Sequence, residues 1–469
     1  MTAVRTTAAV MAGKAAGAAS RLLRLGGGTA IAGLVAGWLD PDVARDLCQT
    51  LPNGVVLVSA TNGKTTTTAM LAALARENGL DPVVNASGSN MMRGITAALL
   101  AAVGPFGRAP DAGRRVGLFE VDEATLPHAA RALRPRVVVL GNLFRDQLDR
   151  YGEVDHVADV WRRTLEVADP RTTVALNADD PLVASLAPAA RGRVIFFGVD
   201  DRSAATDEPQ HAADVRSCPR CGARLAYDAV FYGHVGHWRC PDAACGAARP
   251  SPDVRAEEVR LAADGAAVRM ATPHGDLAVD LPLAGLYNVY NLLAATSAAL
   301  ASGIGIDALP RAMRGFAAAF GRQERFEIDG RHVIMLLAKN PTGLNQALRV
   351  VLTAARPLRA LFFLNDGEAD GRDVSWIWDA DFELLAGREI ALLMAAGRRA
   401  EDLALRLKYA GLGDDVPVVK RPAAALDAAI AATPPGETLV VLPTYTAMLE
   451  VRELLAARAG RRPFWEARP

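Results

Sequence analysis

The chain has 469 residues, and its 52 basic side chains balance its 52 acidic ones, so the formal net charge is zero. This balance argues against a protein that coats nucleic acid, because such a protein needs a basic face. Hydrophobic residues make up 51% and charged residues 22% of the sequence, which excludes wholesale disorder. The length predicts about three domains, and no apolar run reaches the roughly 18 to 20 residues that span a bilayer. We therefore expect a cytoplasmic, globular protein.

Residues 1–45 form the first predicted part, an arm that packs on the domain after it. Its most apolar stretch, from Leu22 to Leu39, carries Arg24 and five glycines, three of them consecutive at 26–28. Consecutive glycines disfavour a helix there. A surface contact with a membrane is the alternative interpretation of this stretch.

A continuous apolar run at Gly54–Ala60 predicts a strand buried on both faces, and the spacing of Lys64–Glu77 predicts a helix after it. Helical patterns separate the later strand-like runs, which indicates a parallel sheet with helices on both faces. These runs lie at 115–121, 136–141, 172–176 and 194–199. We expect the central domain to span residues 46–320.

A second alternating series predicts a separate, smaller α/β domain over residues 321–469. It follows the segment 321–325, which has a hinge-like composition. Its strand-like runs lie at 333–338, 360–365, 390–395, 416–420 and 438–442.

The segment ATNGKTTT, residues 60–67, lies between the first strand and helix, where backbone N–H groups and a helix N-terminus bind phosphate. Gly63 lets the backbone approach the anion, Lys64 reaches the β- and γ-phosphates, and the Thr65 hydroxyl is placed to bind Mg²⁺. Val58 replaces the first glycine of the longer Walker pattern, so the loop is of a shorter type. The alternative is a polar turn before a Thr-rich helix. The candidate nucleotide-binding residues here are Thr61, Asn62, Gly63, Lys64, Thr65 and Thr66.

Three acidic residues, Glu120, Asp122 and Glu123, lie at the end of the strand-like run that starts at Arg115. Residues at the carboxyl ends of strands in an open α/β sheet face the ligand crevice. Glu120 is therefore the predicted carboxylate ligand of Mg²⁺, together with Thr65. The alternative is that the three are solvated loop charges.

Four of the five cysteines, Cys218, Cys221, Cys240 and Cys245, cluster within 28 residues. Two cysteine pairs of this spacing are typical of a tetrahedral Zn²⁺ site, and a filled site leaves no position open for chemistry. We expect a structural zinc ribbon in an insertion over residues 214–252, with a hairpin around Gly233. His234 and His237 are alternative zinc ligands, but four thiolates suffice, so both are predicted to lie on the hairpin surface. For the ribbon as a whole, the alternative is that it reads nucleic acid.

Five sequence blocks resemble the Mur ligases in order and spacing over roughly residues 40–325. They are ATNGKTTT, NLFRDQLDRYGE (142–153), NADDP (177–181), GLYNVYNLLAA (285–295) and GRQER (321–325). The resemblance implies an ATP-dependent and Mg²⁺-dependent ligase with a central P-loop domain and a smaller, Rossmann-like C-terminal α/β domain. It also implies that Asn291 contacts the nucleotide, with a packing role as the alternative.

At three places the sequence departs from the common pattern of that family, and there it resembles the MurT branch. With this branch the similarity covers almost the whole chain. The departures are Asp146-Gln147, Tyr287-Asn288 and the block 337–341, LAKNP. MurT-like proteins phosphorylate the α-carboxylate of the D-glutamate in the lipid II stem peptide, and ammonia then displaces phosphate to leave D-isoglutamine. The implied ammonia source is glutamine, hydrolysed by a GatD-like partner in a heterodimer at the inner face of the cytoplasmic membrane.

The MurT resemblance also assigns Asp373, which precedes V-S-W, to orienting the His of the partner's Cys–His pair, with Asp366 and Asp370 as alternates. The predicted catalytic residues are thus Asp373, Lys64 and Glu120. Two rival functions remain open at this point: a Mur-type ligase that adds an amino acid, and a zinc-ribbon ATPase that binds nucleic acid.

Overall fold

The computed structural model describes residues 2–22, 29–85, 89–109, 112–146, 153–206, 213–316, 322–353 and 357–461. Three of the sequence predictions fall partly on other residues. They are the glycine triplet 26–28, residues 147–152 of the NLFRDQLDRYGE block with Gln147, and Gly321 at the predicted domain boundary. None of the described helices is long and apolar enough to cross a membrane.

The N-terminal segment forms a helical hairpin of α1 (Thr2–Leu22) and α2 (Thr29–Leu39). Arg5, near the start of α1, donates a hydrogen bond of 2.9 Å to the carbonyl of Leu39 at the end of α2, so the two helices are antiparallel. A Cβ at Gly33 would overlap the backbone of Arg93, which shows how closely α2 packs on the central domain. The part of the apolar stretch from Thr29 onward is helical, whereas the glycine triplet on which the expectation rested lies outside the described residues.

The central sheet has nine strands in the order β11-β10-β9-β6-β5-β4-β1-β3-β2. The seven strands β2, β3, β1, β4, β5, β6 and β9, in spatial order, pair in parallel. Strands β9, β10 and β11 form an antiparallel meander. The strands are β1 (Val55–Ser59), β2 (Asp81–Val84), β3 (Arg115–Glu120), β4 (Val137–Leu140), β5 (Thr173–Asn177), β6 (Val194–Val199), β9 (Val254–Leu261), β10 (Ala266–Thr272) and β11 (Gly275–Leu281).

Helices cover both faces of this sheet because the strands are apolar on both sides. In β1, Val56 and Val58 belong to one buried cluster, and Val55 and Leu57 belong to the other. The first cluster is covered by α4 (Lys64–Glu77), α9 (Leu286–Ser302) and α10 (Leu309–Arg314). The second is covered by α1, α2, α3 (Val43–Cys48), α5 (Met92–Ala102), α6 (Leu126–Leu133), α7 (Val154–Glu166) and α8 (Pro181–Ala184).

The insertion carries an antiparallel hairpin of β7 (Ala226–Tyr232) and β8 (Val235–Arg239), and Gly233 turns with a φ of +55°. The turn needs this left-handed conformation, which glycine adopts without strain. The predicted hairpin around Gly233 is confirmed.

A second sheet of six strands has the order β12-β13-β17-β14-β15-β16, and only β12 is antiparallel to its neighbour. Its strands are β12 (Arg322–Ile328), β13 (Arg331–Leu336), β14 (Leu358–Phe363), β15 (Ile390–Ala396), β16 (Val418–Val419) and β17 (Thr438–Pro443). Its faces are covered by α11 (Pro341–Leu352) and α12 (Ala400–Tyr409) on one side, and by α13 (Pro422–Ala431) and α14 (Tyr445–Arg458) on the other.

The hinge predicted at 321–325 is wrong for the residues that the structure describes, because Arg322 begins strand β12. Phe326 and Ile328 alternate into the core, where their exposed fractions are 2% and 3%. The irregularity that looked like a hinge is a bulge at Gln323, which has a φ of +55°.

Candidate active site

The loop between β1 and α4 is held by the end of the neighbouring strand β4. The Thr61 N–H donates to the carbonyl of Asn142 at 2.9 Å, and the Phe144 N–H donates to the Thr61 hydroxyl at 3.0 Å. The Asn62 N–H donates to the Asn142 side-chain oxygen at 2.9 Å, and the Asn142 amide returns a bond of 3.0 Å to the Asn62 carbonyl. The side chain of Asn142 therefore fixes the path of the loop without using the loop's remaining N–H groups.

Gly63 is the N-cap of α4 and has a φ of +96°, a conformation that side-chain-bearing residues rarely adopt. A Cβ there would overlap the side-chain oxygen of Asn291, which is buried on α9. Both the backbone conformation and the neighbour therefore require glycine at this position.

We expect Gly63→Ala to weaken ATP binding strongly, because the loop must shift away from Asn291 to admit the methyl group. Gly411→Ala is the matched control, since Gly411 has a φ of +75° but no atom within 4 Å of the added Cβ. The control isolates the backbone strain, about 1 kcal/mol. Equal ATP affinity in the two variants, measured by calorimetry, would show that the Asn291 contact has no role in the loop.

Lys64 is the first residue of α4, and its buried amine lies 2.9 Å from a carboxylate oxygen of Glu123. It also donates to the carbonyl of Ala60. Burial lowers the pKa of this amine, but the Glu123 carboxylate, together with smaller contributions from Asp122 and Asp146, more than offsets that effect and the net pKa is raised. Lys64 therefore stays a cation beneath the loop. Among the three acids after β3, Glu123 is the one that pairs with it, a role that the sequence analysis did not assign.

Glu120 ends β3 beside the loop and is 3% exposed. Its Oε2 is buried without a hydrogen-bond partner among the described residues. Buried carboxylate oxygens are rarely left unpaired in folded proteins, so this atom has the character of a cation ligand. The Thr65 hydroxyl is half-buried on the first turn of α4. These residues therefore fit a Mg²⁺ ion chemically.

A cleft opens between the loop and the second sheet. Its polar walls come from Asn62, Asn142, Asn288 and Asn291 on one side and from Lys339 and Gln346 on the other. The aromatic rings of Phe144, Tyr232 and Tyr287 line it as well. Residues from both predicted domains thus form one concave site of the kind that binds small molecules.

Two side-chain contacts join the domains at this cleft. The amides of Asn62 and Asn340 exchange hydrogen bonds of 3.3 and 3.2 Å, and Lys339 forms an ion pair with Asp146. Asn340 also caps α11 through the Gly343 N–H at 2.7 Å. The sequence analysis noted the LAKNP block only as a departure from the family pattern. An Asn-Pro pair before a helix is a helix-start signal, which locates the block but not its distant partners.

A third contact between the domains involves Gln323, whose side chain bonds both backbone groups of Ala284 at 2.8 and 2.6 Å and also the Tyr287 hydroxyl at 2.5 Å. Arg145 adds a fourth, because it pairs with Asp214 of the insertion and lies 3.4 Å from Asp379 of the second domain. The segment predicted as a hinge is therefore a point of attachment.

Asn291 lines the cleft and is 6% exposed. Its oxygen accepts from the Thr67 hydroxyl at 3.3 Å, and its amide donates to the side chain of Asn288 at 3.0 Å. In this arrangement Asn291 supports the phosphate-binding loop, while its contact with a nucleotide stays a prediction.

The four cysteines of the insertion converge, with all four sulfur atoms within 4.8 Å of one another. The Cys218 and Cys245 sulfurs are 3.7 Å apart, and those of Cys221 and Cys240 are 3.5 Å apart. Zinc–sulfur bonds of about 2.3 Å in a tetrahedron place sulfur atoms about 3.8 Å apart. The donor set and its spacing therefore fit a Zn²⁺ ion.

The hairpin of the insertion is packed into the central domain. His234 is 1% exposed, its ring lies 4.7 Å from that of Phe144, and its Nε2 is 3.4 Å from Asp180. His237 bonds the Val199 carbonyl at 2.8 Å and is half-buried. The prediction that both histidines lie on the hairpin surface is wrong, because β7 and β8 pack over the carboxyl ends of β5 and β6.

The three acidic residues after β14 differ in their surroundings. Asp370 is buried and accepts from the Thr446 N–H at 2.7 Å, and Asp366 lies 3.4 Å from Arg399. Asp373 is exposed and accepts from the Ser375 N–H at 2.8 Å. This bond, with one from the Ser375 side chain, lowers the pKa of the Asp373 carboxyl, so the group is ionised at neutral pH.

Comparison with known proteins relates both the central and the C-terminal part of the chain to ligases of the Mur type. The Mur ligase middle domain family matches residues 58–219, and the MurT ligase C-terminal family matches residues 337–448. Among solved structures, a pseudomurein peptide ligase type C from Methanothermus fervidus has a TM-score of 0.65 at 22% identity and covers 87% of this chain and 79% of that one. A MurF structure from Acinetobacter baumannii has a TM-score of 0.66 at 19% identity, with coverages of 92% and 81%. The fold is that of the Mur ligases, a class of carbon–nitrogen ligases.

Curated relatives indicate which family of Mur ligases the chain resembles. The protein named lipid II isoglutaminyl synthase (glutamine-hydrolyzing) subunit MurT from Streptococcus pneumoniae is 32% identical over 97% of this chain and 98% of its own length. The subunit of the same name from Staphylococcus aureus is 32% identical over 84% and 85%. This chain belongs to the MurT family.

Proposed function

We propose that this chain is the synthetase subunit of a lipid II isoglutaminyl synthase. It uses ATP to amidate the α-carboxylate of the D-glutamate in the lipid II stem peptide. The observation that carries the proposal is the loop that lines the cleft between the domains. The buried Lys64 amine lies beneath this loop, and beside it a Glu120 oxygen has no hydrogen-bond partner among the described residues. The family membership supplies the substrate class.

The reaction needs activation because a carboxylate is a poor acceptor for nitrogen. A carboxylate oxygen of the substrate attacks the γ-phosphorus of ATP, ADP leaves, and an acyl phosphate remains. Ammonia then attacks the acyl carbon, phosphate departs with the bonding electrons, and ammonia loses a proton to give the amide. Lys64 neutralises charge on the transferred phosphoryl group, and the loop N–H groups orient it.

Thr65 and Glu120 are the proposed ligands of Mg²⁺, which when bound supplies additional charge neutralisation at the phosphates. Thr61, Asn62, Gly63 and Thr66 form the proposed nucleotide cradle with Asn291 below it. Cys218, Cys221, Cys240 and Cys245 are the proposed ligands of a structural Zn²⁺.

The ammonia is proposed to come from a separate GatD-like glutaminase subunit, because no cysteine of this chain suits that chemistry. Four cysteines belong to the metal cluster, and burial raises the pKa of the Cys48 thiol to about 12. A thiol of that pKa is a poor nucleophile at neutral pH.

The partner's docking surface is proposed to include Asp373 and the exposed aromatic pair Trp378 and Tyr409, whose ring centroids are 5.7 Å apart. Exposed aromatic residues are typical anchors of protein interfaces. Asp373 is free to orient a histidine of the partner because it is exposed and ionised. The proposed division of the chain is an arm over 1–45, the ATP-binding domain over 46–320 with its insertion at 214–252, and a partner-binding domain over 321–469.

The decisive experiment uses the complex of this chain with its glutaminase subunit, lipid II labelled with ¹⁸O in the D-glutamate α-carboxylate, ATP and Mg²⁺. We expect amidated product, ADP, and ¹⁸O in the released phosphate, which an acyl phosphate intermediate requires. Release of ADP that depends on an added amino acid rather than on ammonium or glutamine would instead support the amino-acid-adding ligase. Absence of amidation and of ADP would overturn the proposal.

A further inference from the structure

The outer face of the α1–α2 hairpin is apolar although it is open to solvent. On α1 a series of exposed apolar residues is spaced three or four positions apart, at Val4, Ala8, Met11, Ala15, Ala18 and Leu22, and Arg5, Ala19 and Arg21 are exposed as well. Val4 is 76% exposed and Leu22 is 85% exposed. This spacing places the six side chains on one stripe of the helix. Residues of the opposite face, such as Ala9, Val10 and Gly13, are buried against the protein.

The second helix repeats the pattern. Leu34 is 59% exposed and Trp38 is 82% exposed, and they lie four residues apart on the outer side of α2. The exposed apolar residues of the two helices form a surface, which we call the hairpin surface and define by Val4, Met11, Leu22, Leu34 and Trp38.

The N-terminal segment, residues 1–39, carries an excess of basic residues. Residues 1–39 contain Arg5, Lys14, Arg21 and Arg24 and no Asp or Glu, in a chain whose formal net charge is zero. Arg5 is held near the buried Asp40 at 3.8 Å, whereas Arg21 is exposed at the end of α1. Together the two helices combine exposed apolar residues, basic residues on α1 and a Trp near the end of α2, which is the composition of interfacial membrane helices.

We propose that the hairpin surface docks on an anionic lipid bilayer, with α1 and α2 in the plane of the headgroups and the side chains of Leu34 and Trp38 inserted among the acyl chains. Basic side chains favour this surface over a neutral one because the cytoplasmic leaflet is negatively charged. The inference rests on the proposed function for its purpose, since a lipid-linked substrate lies at the membrane. A second copy of the chain and the glutaminase subunit are the other possible occupants, and neither accounts for the excess of basic residues.

The test measures co-sedimentation of the full chain with vesicles of phosphatidylglycerol or of phosphatidylcholine, in the absence of ATP and lipid II. We expect binding to phosphatidylglycerol that weakens with added salt, and a loss of about tenfold in Leu34→Glu. Leu261→Glu is the matched control, because Leu261 is also exposed, at 43%, but lies on β9 of the central sheet. Arg21→Gln should reduce binding about fivefold. Lipids brominated along their acyl chains should quench fluorescence in the wild type and much less in Trp38→Phe.

The outcomes separate this inference from the proposed function. Amidation of a water-soluble muropeptide without any vesicle binding would overturn the docking inference and leave the function intact. Vesicle binding without amidation would support docking and refute the function. Equal losses of binding in Leu34→Glu and Leu261→Glu would overturn docking. Docking would also be overturned if no vesicle binding is detected and Leu34→Glu instead dissociates a dimer of the chain or its complex with the glutaminase subunit.

Discussion

Lys64→Met combined with Glu123→Gln is expected to give a folded protein whose ATP-dependent amidation is reduced by about 10³-fold or more. The reason is that Lys64 supplies the buried positive charge beneath the phosphate-binding loop. The measurement is ADP release by the complex with saturating lipid II and glutamine, together with a melting curve for the variant.

The single variants provide the control for stability. Lys64→Met alone leaves the Glu123 carboxylate buried without its partner, which costs about 3 to 5 kcal/mol when a buried ion pair is broken. We therefore expect the single variant to be less stable than the double variant, and both to be inactive. A double variant that retains half of the wild-type rate would show that Lys64 is a structural residue only.

Asp373→Asn is expected to reduce glutamine-driven amidation by about 10²- to 10⁴-fold, the range seen when the orienting carboxylate of a catalytic triad is neutralised. Ammonium-driven amidation should remain close to the wild-type rate, because the role proposed for Asp373 is to orient the partner's histidine and involves no contact with the acyl phosphate. The two rates are measured on the same preparation with glutamine or ammonium chloride.

Asp370→Asn is the control for a merely structural effect. Asp370 is buried and accepts hydrogen bonds from the Thr446 and Gly367 N–H groups, so its neutralisation should lower stability and affect both nitrogen sources alike. Asp366→Asn removes an ion pair with half-exposed Arg399 and should change little. If Asp373→Asn instead behaves like Asp370→Asn, the assignment of Asp373 to the partner's triad is wrong.

The sequence predicted the strand–loop–helix unit well because its signals are local. The run 194–199 is a strand with the predicted bounds, and the loop at 60–64 follows a strand whose residues are all buried. Apolar, β-branched composition determines such strands largely without help from distant residues. The cluster of four cysteines was predicted equally well, because the spacing of its two cysteine pairs along the chain is itself typical of a zinc site.

Other features depended on contacts that no local pattern encodes. Asn62 meets Asn340 across 278 residues of sequence, and Glu123 pairs with Lys64 only because α4 and the end of β3 converge. His234 was expected at a surface because four thiolates already fill a tetrahedral zinc site. The central domain covers this histidine, which no pattern within residues 226–239 could indicate. The bulge at Gln323 was mistaken for flexibility because both have the same polar composition.

The cysteine-bearing insertion contacts both the cleft and the central domain, so the enzyme cannot lose this segment without a change at its site. Tyr232 of its hairpin lines the cleft, and the backbone of Gly236 donates at 2.8 Å to the carbonyl of Asp179 in the central domain. Trp238 bonds the Ala178 carbonyl at 3.0 Å. A deletion of residues 214–252 would therefore open one wall of the cleft as well as remove the cluster of four cysteines. The segment is an integral component of the catalytic domain rather than a detachable accessory.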